Sequence, residues 1–116
     1  MTRKLTLGEP KVTATIAGAQ HIEWCLLGEG GRGYLVSWLE KAVYSGRPEC
    51  KAFKAVRDPC CNVRVESWNE EAVSYNRDAA RALEEVVKQL TELYDVDVSV
   101  GDPASALRPG EVVSDA

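Results

Sequence analysis

The chain has 116 residues, 45% hydrophobic and 28% charged, which suits one globular domain with its own core and argues against a disordered or disulfide-framed chain. A net charge of −4 and a pI near 5.0 disfavour the basic stripe that captures nucleic acid or an anionic membrane surface. No run approaches the ~20 apolar residues of a membrane helix, and Leu5-Thr6-Leu7-Gly8-Glu9-Pro10 is not a signal-peptide centre, so the chain reads as cytoplasmic and its cysteines as thiols.

In chain order, Lys11 to Ala17 alternates, with Val12, Ala14 and Ile16 on one side, and predicts a half-buried strand. His21 to Leu27 alternates again, Ile22, Trp24 and Leu26 against His21, Glu23 and Cys25. Gly28 to Gly33 supplies a turn with positive φ where it is needed, and Tyr34 to Trp38 completes a hairpin. Ser37 to Tyr44 fits either an extended strand or a short helix. Glu49 to Val56 and Asn62 to Trp68 are two further strands, separated by the turn Arg57-Asp58-Pro59.

The strongest signal is an amphipathic helix from Asn76 to Tyr94, with Ala79, Leu83, Val86, Val87, Leu90 and Tyr94 in one stripe. Asn76 is the expected cap, with Asp78 in the first turn. Asp95 ends the helix and Val96 to Val100 forms a last strand. The expected fold class is α+β: an antiparallel sheet of four to five strands with one long C-terminal helix packed on one face. Residues 1–100 form the single domain and 101–116, rich in Pro, Gly and small residues, a flexible tail.

Candidate chemistry is sparse. His21, Glu23 and Cys25 share one side of a strand, and with Cys60 and Cys61 they are the donors available for a small zinc- or thiol-dependent enzyme, in which His21, Glu23 and Cys60 would act. His21-Ile22-Glu23 followed by Pro59-Cys60 is similar to the His-x-Glu and Pro-Cys-x-x-Cys elements of zinc-dependent nucleoside and nucleobase deaminases. That resemblance implies zinc on a His and two Cys, with the Glu moving protons. Cys61-Asn62-Val63 departs from the pattern, because the second cysteine is adjacent rather than three residues on. The glycine-rich Gly28 to Gly33 lacks the Lys-Ser/Thr of a phosphate loop and precedes a strand, so it reads as a hairpin turn with Arg32 at its tip.

With one helix, one sheet face is left uncovered. Alternation assigns Val63 and Val65 to the helix side, and Thr13, Thr15, His21, Glu23, Cys25, Arg64, Glu66 and Trp68 to the open side. Arg32, Arg64, Glu66 and Trp68 are the expected partner-binding residues. The expected function is a non-catalytic protein-interaction module with no cofactor or metal, binding a protein partner or a second copy through that face. Arg exceeds Lys and Ala and Val abound, a balance of high-GC bacterial or phage genomes, so an inhibitor, antitoxin, immunity, anti-defence or homodimeric accessory protein is the expected type.

Overall fold

The alternation read from the sequence becomes eight strands and one helix in a computed structural model that describes residues 2–15, 17–60 and 62–100. In chain order they are β1 (Arg3–Leu7), β2 (Lys11–Ala14), β3 (Gln20–Leu27), β4 (Arg32–Leu39), β5 (Glu49–Arg57), β6 (Val63–Val65), β7 (Ala72–Ser74), α1 (Ala79–Tyr94) and β8 (Val96–Val100). The sheet runs β6-β5-β4-β3-β1-β8, with β2 also on β3 and β7 also on β5. β8 lies parallel to β1, and every other pair is antiparallel. The α+β class therefore holds, while the expected antiparallel sheet of four to five strands is corrected to a larger, curled, mixed one.

The centre is the meander β3-β4-β5, whose long registers put Ile22, Trp24 and Leu26 with Trp38, Val36 and Tyr34 on one face. Cys50 and Ala52 continue that face across β5. Against it α1 buries Ala82, Leu83, Val86 and Leu90, in one cluster with Leu5 and Val96. Each large side chain so buried contributes about 1.5–3 kcal/mol. The turn Glu29–Gly31 between β3 and β4 takes positive φ at Gly30 and Gly31, as its glycines allow. Gly33 is required for a different reason: a Cβ there would overlap the Leu26 carbonyl of the neighbouring strand.

Both flanks of the meander are broken strands. β1 and β2 pair successive stretches of β3, on either side of Gly8-Glu9-Pro10. β6 and β7 do the same along β5. The outer edge of β7 is closed by the helix itself. The Gln89 amide accepts from Val73 N–H (3.0 Å) and donates to Val73 C=O (2.7 Å), doing for a three-residue strand what a neighbouring strand would do.

Several expectations change with these pairings. Asp78, not Asn76, caps α1, its carboxylate accepting from the Ala80 and Arg81 N–H groups. Asn76 is held two residues earlier: its carbonyl accepts the Trp38 indole N–H (3.1 Å) and its side-chain amide donates to Glu85. Asp95 stops the helix in the left-handed conformation. β2 is exposed along its whole length, so Val12 and Ala14 are outside the core, and Ile16 lies outside the described residues. The predicted tail, 101–116, also lies outside them. No helix among the described residues is long and apolar enough to cross a membrane.

Leu90→Ala is expected to lower the unfolding free energy by about 3 kcal/mol, and Gln89→Ala by about 1 kcal/mol, both read by urea denaturation. A Leu90→Ala loss well under about 1 kcal/mol would contradict the packing described.

Candidate functional site

The face of the meander turned away from α1 carries no second layer among the described residues. Its rows follow from strand register. Cys25, Leu35 and Phe53 form one row, and Leu27, Gly33, Ala55 and Val65 the next. Every described large side chain in these rows is half-buried, while Gly33 and Ala55 between them are buried. The segment between β6 and β7 brings Trp68 over this face, its ring edge-on to Phe53 at 5.2 Å, and leaves it 74% exposed. Leu27, Leu35, Phe53, Val65 and Trp68 thus make an apolar half-face.

The other half is polar. His21 Nε2 and Ser37 Oγ share a hydrogen bond of 2.8 Å, and Glu23 Oε2 lies 3.9 Å from the same nitrogen. Lys51 is clamped between Glu70 (2.8 Å) and Glu49 (3.2 Å), and the bond to Glu70 helps hold its ammonium charged. The Ser37–His21 distance suits a nucleophile and base, but among the described residues no carboxylate is paired with Nδ1 to complete a triad. The Glu23 carboxylate addresses Nε2 rather than steadying Nδ1, and the N–H groups of β4, which is paired with β3 on one side and β5 on the other, are spent in the ladder, so β4 offers no oxyanion hole.

The fold separates the thiols. Cys25 faces the open side, Cys50 is buried under α1, and Cys60 is exposed in the turn after β5, while Cys61 lies outside the described residues. His21 sits in the row of Glu49, and Cys60 lies beyond Arg57, at the far end of the same strand. Eight residues at about 3.3 Å each place them roughly 26 Å apart, so His21, Glu23 and Cys60 do not assemble the zinc site that the deaminase resemblance implies. Among the described residues no group of three or more His, Cys, Asp or Glu is arranged to hold a metal. Burial raises the Cys25 pKa, outweighing the nearby Arg57, and so keeps the thiol from becoming a ready nucleophile.

The four expected partner-binding residues divide between the faces. Arg32, Val56 and Arg64 share one row and Tyr34 shares its row with Lys54, all on the helix side, where Tyr34 meets Tyr94 of the last turn of α1 at 6.3 Å between ring centroids. Glu66 lines a cleft there with Arg3, Arg32 and Lys54. Only Trp68 reaches the open face. Val63 and Val65, expected under the helix, are on that open face instead, because their partners are Arg57 and Ala55. Leu27, Leu35, Phe53 and Ser37 were not singled out in the sequence, although their alternation with Leu26, Tyr34, Val36 and Ala52 was the available signal.

No protein-family model, curated protein or solved structure matches this chain.

The buried Cys50 thiol is pushed up from 9.0 to about 12, first by desolvation and then by the Glu85 charge. A proton held more tightly in the folded state leaves stability unaffected below pH 9.0 and lowers it as pH rises from there towards about 12. Cys25, Tyr34 and Tyr94 are raised too and act in the same direction. Urea denaturation of wild type and Cys50→Ala at neutral pH and at about pH 10 should show a smaller alkaline loss in the variant. Equal losses in both proteins would contradict the burial of this thiol.

Proposed function

We propose that this protein is a small non-catalytic interaction module that binds a protein partner with the open face of its sheet. The single observation behind this reading is the uncovered apolar half-face built from Leu27, Leu35, Phe53, Val65 and Trp68. Trp68 is a large, mostly exposed anchor braced by Phe53, the kind of residue that dominates binding energies. The adjoining polar groups are largely satisfied within the chain, since His21 is bonded to Ser37 and Lys51 to Glu49 and Glu70. They suit a rim that excludes water around the contact better than a reacting centre. An acidic, compact chain of this kind fits a bacterial or phage accessory or inhibitor protein, such as an antitoxin, immunity or anti-defence factor. A second copy is the other occupant this face would accept.

Trp68→Ala should weaken partner binding by about 2 kcal/mol or more while shifting folding stability by no more than about 0.5 kcal/mol. The measurement is affinity capture from the native host followed by titration of the captured protein, with sedimentation velocity to detect self-association. A partner that binds wild type, Trp68→Ala and Leu35→Asp equally well would place the contact elsewhere.

A further inference from the structure

At the end of the sheet where β3 begins and β4 ends, three segments surround a pair of adjoining clefts. One cleft, of about 430 Å³, lies between the β2–β3 turn and the β4–β5 loop, with Glu40, Lys41, Pro48 and Arg77 on its walls. The second shares Pro48 and Arg77 and adds Arg47 and Tyr75. Three cations and one carboxylate thus face this space in a chain whose net charge is −4. The one carboxylate is already engaged, since Glu40 accepts the Gln20 N–H at 2.9 Å. No ion pair among the described residues involves Lys41, Arg47 or Arg77, whereas Lys51 elsewhere has two acidic neighbours.

The hydrophobic side chains of the surrounding segments are exposed in an unusual degree. Tyr44 is 100% and Val43 87% accessible, and Tyr75 is 63%. The β4–β5 loop that carries Val43 and Tyr44 is held in place nonetheless. Ala42 N–H donates to the Arg47 carbonyl, Gly46 N–H to the Ala42 carbonyl, and the Ser45 hydroxyl accepts the Arg47 N–H while donating to Glu49. Arg77 follows Asn76, which Trp38 and Glu85 fix from two sides. A hydrogen-bonded loop that presents Tyr and Arg side chains loses little freedom when it binds, so contacts made there are retained as affinity.

We propose that this end of the sheet is a second docking surface, separate from the open face, and that it takes an acidic protein segment: carboxylates against Lys41, Arg47 and Arg77, and apolar side chains against Tyr44 and Tyr75. Charge complementarity selects the anion, and a patch of only three cations in a chain of net charge −4 suits a short acidic segment better than the long run of phosphates in a nucleic acid.

The test uses a fluorescein-labelled peptide rich in Glu and Leu as probe, with the full chain, read by anisotropy at low salt. Saturable binding is expected, weakened about tenfold or more by Arg47→Glu with Arg77→Glu, and also reduced by Tyr44→Ala. A charge-matched control, Lys4→Glu with Lys88→Glu, should leave it within about twofold of wild type. No saturable binding, equal weakening by the control pair, or tighter binding of a single-stranded oligonucleotide of matched length would each overturn the proposal.

Discussion

The docking of the α1 stripe, Ala82, Val86 and Leu90, onto the face that carries Trp24, Val36 and Ala52 decides what every other part of the sheet can do. Side chains alternate across a strand, so once this face is committed to the helix, Cys25, Leu35 and Phe53 must point the other way. The helix packs against β4 and β5 in the middle of the sheet and against β7 and β8, which lie towards opposite edges. Polar ties reinforce the apolar contact. Gln89 completes the edge of β7, Glu85 gathers Ser74 and Asn76, and the Tyr94 hydroxyl donates to Glu71 at 2.7 Å. With no second helix among the described residues, the reverse is left to the segment that brings Trp68 against Phe53, and the rest of that face has no layer over it.

How much of this was legible depends on how local the signal was. α1 and the three central strands could be read because each carries its own period, and Asp95 because a helix stop is a local event. β1 could not be read in the same way. It has only Leu5 and Leu7 as inward positions, and its partner β8 lies more than ninety residues further on. β7 is three residues long and exists because β5 and Gln89 hold it, a tertiary cause that no propensity records. The sides of β6 were reversed because register is set by pairing, and a slip of one residue exchanges the faces. That single reversal moved Arg64 and Glu66 to the helix side and brought Val65 to the open one. Trp68 kept its place only because the chain leaves strand conformation before reaching it.

The chemistry-bearing residues show the same dependence on topology. Alternation alone put His21, Glu23 and Cys25 on one side, and that much was correct. What it left undecided was their neighbours, and these turn out to be Ser37, Lys51 and leucines rather than Cys50 or Cys60. Among the described residues every buried side-chain nitrogen or oxygen has a partner, so no orphaned polar group points to an absent ligand. Recognition by surface is the reading that uses what the fold does present: an apolar half-face on one side and a hydrogen-bonded loop with basic and aromatic side chains at one end.

Accessibility of adjacent positions on β4 tests the one-sided covering most directly. In native Leu35→Cys the introduced thiol should react readily with a small alkylating reagent, while in Val36→Cys it should stay protected until the protein unfolds, with site-resolved mass spectrometry separating these from the natural cysteines. Protection of both positions would mean that the reverse face is already covered and would contradict the account.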